Sequence, residues 1–384
     1  MDNLFFTDEH IMIRDMVREF ADTEITPVAR DLDEQGEFPT ALVNKMGELG
    51  LMGILIPEEY GGSGLDMVAF ATAIIELARA DASVAITMAA HTSLGSLPIL
   101  MFGSDEQKNT YLPKLATGEM LGAFGLTEPD AGSDAGATKT KAVRDGDEYV
   151  VNGGKIFITN AGKAGVLSFT SQVIENGKNL GIAAFSISTN TPGLEIGPKE
   201  KKMGWRASDT RQLFFKDMRI QATSMLGTPT NGFKTFLKTL TSGRVSIGAL
   251  SIGTALGAYE RALAYSTERI AFGKPINNFQ SVGFKLADMA TKIEASKLLV
   301  FHAAWMKDQG LDITKEAAMA KLFASETAME VTTEAIQIHG GYGYVKEHDV
   351  ERFFRDAKIL EIGEGTSEIQ RLIILREILK EIQI

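Results

Sequence analysis

The chain has 384 residues, 44% of them apolar and 23% charged, and a net charge of -11. That length allows two or three structural units around a large core, and the acidic balance argues against a nucleic-acid partner, which demands a basic surface. Cysteine is absent, which excludes disulfides, thiolate metal sites and cysteine nucleophiles.

The N-terminal segment has neither a basic n-region nor an apolar h-region and so does not read as a signal peptide. Residues 1–122 read as helices, an all-α domain. Thr7, Asp8 and Glu9 cap a segment whose apolar positions, Ile11, Ile13, Met16, Val17 and Phe20, recur with mostly helical spacing. Pro57, Gly61, Gly62 and Gly64 mark a loop, followed by helical runs near 66–80 and 82–101 and a short helix opened by Ser104 to Gln107. Residues 82–103 carry no Asp, Glu, Lys or Arg and have about the length of a bilayer span. Thr87, His91, Thr92, Ser93, Ser96 and Pro98, with Asp81 and Asp105 at the flanks, fit a helix buried in protein better. The chain is therefore expected to be soluble and cytoplasmic, with no membrane association.

Residues 123–230 change to strands and turns, the pattern of a separate small β domain, barrel or sandwich. Glu148 to Gly154 and Lys155 to Thr159 read as two strands around a Gly turn, with more strands at 166–173, 180–187 and 210–218. Turns are expected at Glu175-Asn-Gly177, Asn190-Thr-Pro-Gly193 and Gly227-Thr-Pro229. Helices return over 231–384. Long segments at 232–270, 278–308, 314–339 and 368–384, joined by short links, predict an antiparallel four-helix bundle. The fold class is α+β, in the order α, β, α.

Several stretches could carry chemistry. Gly125-Leu-Thr-Glu-Pro-Asp-Ala-Gly-Ser-Asp-Ala-Gly-Ala137 offers hydroxyls and bare amides at Thr127, Gly132 and Ser133 for a phosphate or a polar ring edge; it has the spacing of neither a Rossmann fingerprint nor a P-loop. Arg269 ends one bundle helix, where a solvated cap is the ordinary reading, and Gln280 opens the next. Gln337-Ile-His-Gly-Gly-Tyr-Gly-Tyr344 ends a third helix with more glycine than a C-cap needs, as a close approach to a flat ligand or a bulky turn would require. Glu364 stands alone between Gly363 and Gly365, ahead of Ser367 and Gln370 at capping-box spacing. It fits a base set against a flat ligand at a helix N-terminus, and equally an acidic first-turn residue in a Gly-rich link. The five histidines, His10, His91, His302, His339 and His348, have no paired ligand spacing, so no metal site is expected.

In combination, and in this order along the chain, these stretches resemble the acyl-CoA dehydrogenase family over essentially the full length, nearest in spacing to its short-chain, butyryl-type members. Residues 125–137 resemble the family's first signature. Gln337 to Tyr344, followed by Glu347, Arg352 and Asp356, resembles the second. The resemblance implies the family's α–β–α fold and FAD-dependent oxidation of an acyl-CoA thioester to the trans-2-enoyl-CoA. Glu364 would remove the α-proton while hydride leaves the β-carbon for flavin N5, and the electrons would pass to an electron-transfer flavoprotein. In the family the backbone amide of the catalytic Glu and the flavin's ribityl chain bind the thioester oxygen.

FAD contacts carry over to Phe124, Gly125, Leu126, Thr127 and Ser133, to Phe157, Ile158 and Thr159 behind the ring, and to Thr366, Ser367 and Glu368. Arg269, Phe272, Gln280, Gln337, Ile338, Gly340 and Gly341 resemble residues that reach the FAD of a neighbouring subunit, which implies a homotetramer built as a dimer of dimers. Ser133, Thr241, Gly243, Arg244 and Gly365 resemble substrate-contacting positions. Two departures stand out: short-chain members commonly have Tyr where this chain has Gly363, and Trp is frequent where it has Phe157. Some relatives carry the catalytic Glu at the position of Gly243, which here has no side chain. Short to medium straight-chain substrates are the favoured expectation, with branched-chain substrates, a same-fold oxidase, an enoyl-CoA reductase and a non-catalytic binding protein as alternatives.

Overall fold

A computed structural model describes residues 2–228 and 232–382. The N-terminal region holds α1 (Asp2–Phe5), α2 (Asp8–Phe20), α3 (Ala29–Gln35), α4 (Thr40–Glu48), α5 (Met67–Ala80), α6 (Ala82–Ala90), α7 (Leu97–Phe102) and α8 (Asp105–Ala116). Side chains close the helix N-termini: Asp66 accepts from Ala69 N, Asp81 accepts from Val84 N, and Ser104 and Gln107 form a reciprocal capping box. Between α6 and α7 the backbone widens into a π-helix at His91–Ser96. Pro98 follows directly; it cannot donate to the preceding turn and its ring crowds it, which accounts for the widening. The run Ala82–Phe102 is apolar and long enough for a bilayer, but 83% of its apolar 18-residue window is buried inside the protein. It is a core element.

The middle region forms one eight-stranded mixed sheet: β1 (Leu121–Gly125), β2 (Lys141–Asp145), β3 (Glu148–Thr159), β4 (Ala164–Glu175), β5 (Lys178–Ser188), β6 (Leu194–Lys199), β7 (Thr210–Gln221) and β8 (Met225–Leu226). Its order is β6-β7-β3-β2-β4-β5-β8, and β1 lies parallel to β4 with Gly125 opposite Phe169. Inward side chains such as Tyr149, Phe169, Phe185, Leu213 and Phe215 form its core. The expected turn at Gly153 and Gly154 does not form, and β3 runs through as a single strand with register shifts. Gly153 sits at φ +143, and a Cβ there would lie 2.7 Å from Thr140 Cα. The glycine admits a crossing chain into an irregular strand; it does not reverse the chain.

The C-terminal region contains α9 (Gly232–Glu268), α10 (Gln280–Asp308), α11 (Thr314–His339), α12 (Val350–Ala357) and α13 (Ser367–Ile382). Helices α9, α10 and α11 pack on one another, α13 packs on α11, and the apolar α5 lies against α9, so the N-terminal and C-terminal helices share one core. Helix α12 ties the three regions together: Arg352 pairs with buried Asp81 at 2.6 Å, and Asp356 accepts from Trp205 N at 2.6 Å. The expected boundary at 230/231 and the Pro229 end of the third turn lie outside the described residues, as do positions 383–384 of the last helix.

Candidate active site

Glu364 lies in the loop between a 3-10 turn at Lys358–Glu361 and the start of α13. Its φ of +54 is a left-handed conformation that costs a non-glycine residue roughly 1–2 kcal/mol. Such a conformation persists only where its surroundings enforce it. Here the Gln370 amide donates to the carbonyls of Glu364 (3.3 Å) and Gly365 (2.9 Å), and Lys321 Nζ donates to the Gly365 carbonyl at 2.8 Å. Because Gln370 serves the loop, the expected Ser367–Gln370 capping box does not form. Thr366 caps α13 by accepting from Ile369 N, and Ser367 Oγ is buried without a partner.

The Glu364 carboxylate points inward although the residue as a whole is half-buried: its Oε2 is shielded from solvent and has no hydrogen-bond partner. It lies against the backbone of α9 at Gly243, where a Cβ would be 2.9 Å from Glu364 Cδ and 3.4 Å from a Leu94 methyl. Burial pushes the carboxyl up to about 7, against the downward pull of Lys321 and Arg244. Arg244 is 6% exposed and its Nε lacks a partner; burial lowers its guanidinium despite the facing Glu364. The backbone N–H of Glu364 donates to no group among the described residues. Thr241, one turn before Arg244, is half-buried and donates to Leu237 O.

A second set sits on the sheet. Phe124 stacks on Phe236 of α9 with ring centroids 4.1 Å apart. Phe236 precedes Gly243 by seven residues, about 10 Å along the helix. Gly125 is buried, Leu126 and Thr127 are half-buried, and the Thr127 carbonyl accepts from Ile156 N at 2.9 Å. Phe157 has φ +60 and is 62% exposed as a residue, while Ile158 turns into the core and Thr159 is half-buried. Ser133 lies exposed in the 125–137 loop. Beneath this loop, buried Lys155 donates to Glu128 Oε1 at 2.7 Å and to the Leu126 carbonyl at 3.1 Å. Burial alone would raise the Glu128 carboxyl, but Lys155 and the Thr138 and Thr140 donors outweigh it and hold it at about 2.

The third set surrounds a surface cleft of about 510 Å3 lined by Tyr265, Arg269, Ile338, His339, Gly340 and Gly341 among others. Arg269 lies over the Tyr342 ring at 5.6 Å. Gln280 and Gln337 are exposed, Ile338 is buried, and Phe272 is 96% exposed at φ +51. His339 follows Lys321 by eighteen residues on the same helix, which separates the cleft from the Glu364 loop by about 27 Å. Within one chain the third set therefore does not meet Glu364, whereas Gly243, Arg244 and Gly365 do. Of the remaining expected positions, Thr366 and Ser367 flank the base, and Glu368 faces solvent.

Sequence reasoning missed Lys321, Lys155 and Glu128, and it read Gln370 only as a capping residue. A lysine inside the Ala317–Ala320 and Ala324 run of a buried helix face is the signal that could have exposed Lys321. Among the described residues, no group of three or more His, Asp or Glu side chains is placed to hold a metal ion.

Family models for the acyl-CoA dehydrogenase N-terminal, middle and C-terminal domains match residues 7–119, 123–218 and 230–379. The chain is similar to a probable acyl-CoA dehydrogenase, YngJ, of Bacillus subtilis, with 53% identity over 98% of this chain and 100% of the relative. It is also similar to an acryloyl-CoA reductase (NADH) of Anaerotignum propionicum, with 46% identity over 97% and 95% of the two chains. Among solved structures, butyryl-CoA dehydrogenase from Megasphaera elsdenii superposes with a TM-score of 0.94 at 42% identity, covering 97% of this chain and 98% of the other. An acyl-CoA dehydrogenase complexed with FAD from Bacillus anthracis has a TM-score of 0.92 at 37% identity, covering 98% of this chain and 69% of the other.

Proposed function

This chain belongs to the acyl-CoA dehydrogenase family, and from that membership we propose that it oxidises an acyl-CoA thioester to the trans-2-enoyl-CoA with bound FAD, Glu364 taking the α-proton. One observation carries the reading: a shielded, unpartnered carboxylate, raised to about 7, sits in a loop whose own N–H is free. A carboxylate raised in this way is a stronger base than an exposed one and is still substantially ionised at neutral pH. The weakly acidic α-proton also demands stabilisation of the developing enolate oxygen, and the Glu364 N–H is a donor available for it. Gly365 lets the Gln370 amide come in close behind the base: a Cβ there would lie 2.7 Å from Gln370 Nε2. Arg244 balances the charge of the ionised carboxylate.

The residues present fit FAD. Partnerless buried polar atoms at Arg244, Glu364 and Ser367 await a polar ligand at the start of α13, where helix amides favour an anionic one. Phe157 presents an exposed ring beside Thr127 and Thr159. Phe124 to Thr127, Ser133, Phe157 to Thr159 and Thr366 to Glu368 would hold the cofactor of the same chain. Arg269, Phe272, Gln280, Gln337, Ile338, Gly340 and Gly341 would serve that of a second copy, since the cleft at His339 lies about 27 Å along α11 from Lys321, which holds the Glu364 loop. When bound, FAD supplies the hydride acceptor for the β-carbon.

This reading includes a homotetramer, a cytoplasmic location, short to medium straight-chain substrates and an electron-transfer flavoprotein as acceptor. Gly363 has open space beside it, with only the Ile359 carbonyl at 3.4 Å from a built Cβ, so a larger acyl group is admitted. A second reading, reduction of an enoyl-CoA, is favoured by the similarity to the acryloyl-CoA reductase. Anaerobic titration with acyl-CoAs of graded length and branching tests the first: bleaching of the flavin by at least one is expected, and bleaching by none overturns it. Turnover of NADH with an enoyl-CoA would select the second.

A further inference from the structure

Lysine is almost never fully buried without a partner, yet Lys321 is 0% exposed among Ala317, Ala318, Ala320 and Ala324 of α11. It forms no direct ion pair among the described residues. Its ammonium is spent on a single carbonyl, that of Gly365, which also accepts from Gln370. A methionine would fill the same volume without the desolvation cost of a cation. The two donors converge on the carbonyl of the residue after Glu364, Glu364 itself being at φ +54, and Gln370 reaches the Glu364 carbonyl as well.

We propose that Lys321 is a positioning residue for Glu364: with Gln370 it pins the carbonyls of the loop that carries the base, and it does so as a cation facing the carboxylate. This rests on the reading of Glu364 as the α-proton base. Four charged groups surround Lys321, namely the carboxylates of Glu364, Glu361 and Glu368 and the Arg244 guanidinium. Lys321 and Arg244 are in turn the two cations that face Glu364. Burial lowers the Lys321 ammonium to about 8 while the three carboxylates hold it up, so it is still mostly charged where the base becomes ionised. Removing that charge makes the carboxylate harder to ionise. The sign follows directly: without Lys321, the pH at which Glu364 becomes an active base moves upward.

The test uses the purified, FAD-loaded enzyme and the acyl-CoA that reduces it best, with flavin reduction followed anaerobically by stopped flow between pH 5.5 and 9. Lys321→Met is expected to retain flavin and elution volume and to shift the acid limb up by about one pH unit, the lower end of what one nearby opposite charge does. The rate at pH 6 then falls roughly ten-fold more than the rate at pH 9, on top of a pH-independent slowing that the lost hydrogen bond to the Gly365 carbonyl shares with Gln370→Leu. Lys321→Arg, which keeps the cation, restores the limb. Gln370→Leu removes a pinning donor but no charge, so it slows reduction at every pH and leaves the limb in place. An acid limb in Lys321→Met that coincides with the parent's overturns the proposal. If that variant loses its flavin, Lys321→Gln provides the same comparison with the same two outcomes. A parent enzyme that no acyl-CoA reduces would instead defeat the reading of Glu364, so the two failures are distinguishable.

Discussion

Replacing Gly243 with Ala separates the geometry of the base from the stability of the fold. The new methyl would lie 2.9 Å from Glu364 Cδ, and closer still to Oε2. Carbon atoms prefer separations of about 3.5–4.0 Å, so the carboxyl must retreat, Cδ by roughly 0.6 to 1.1 Å and the nearer Oε2 by more. It can do so, because it is the free end of a flexible side chain and its Oε2 is bound to nothing. The fold should tolerate the change: alanine in the interior of α9 gains about 0.5–1 kcal/mol over glycine, against a local overpacking cost of about 1–3 kcal/mol. Chemistry should not tolerate it, since a displacement of about 1 Å at a reacting group costs on the order of a hundredfold. Gly243→Ala is therefore expected to unfold within about 2 kcal/mol of the parent, keep its flavin and reduce it about a hundredfold more slowly. Urea unfolding and anaerobic stopped flow measure the two quantities. A variant that reduces its flavin within threefold of the parent would refute the placement of the carboxylate against α9.

Two other perturbations concern the scaffold of the site. Lys155→Met leaves the Glu128 carboxylate buried without its cation beneath the 125–137 loop; a loss of about 3–5 kcal/mol is expected in urea unfolding, with lowered flavin content. Adding Glu128→Gln should recover part of both, and no recovery would count against the pairing. Asp356, raised to about 7 by burial and by nearby Asp81, binds its proton more tightly folded than unfolded. Its contribution is complete below about pH 4 and is lost as pH rises through 7. Asp356→Asn keeps an acceptor for Trp205 N–H, so its melting temperature relative to the parent should climb between pH 5.5 and 8; a flat difference would contradict the buried charge.

Legibility depended on whether the information was local. Helix α11 matched its expected bounds, 314–339, because Asp312 and the following glycines punctuate both ends. Ser104 and Gln107 formed the cap their spacing implies. Gly153 was misread because its role is set by Thr140, just ahead of β2 and distant from the glycine in sequence. Ser367 and Gln370 have capping-box spacing but do not form the box, since Gln370 is drawn to the carbonyls of the loop before it. Glu364 was conspicuous as a lone carboxylate between glycines. Its inward orientation and its approach to Gly243, Arg244 and Lys321 come from the packing of α9, α11 and α13, which no short window of sequence contains. Lys155 and Glu128 escaped notice for the same reason: burial made them partners, not spacing.

The role of Glu364 is tested by Glu364→Gln, which keeps the shape and removes the base. Purified with FAD and mixed anaerobically with the acyl-CoA that bleaches the parent, the variant should hold its flavin and bind the ligand. Its reduction should be slower by on the order of 10^2 to 10^4, the range lost with a general base. Bleaching at a rate within threefold of the parent would show that another group takes the α-proton and would contradict the assignment.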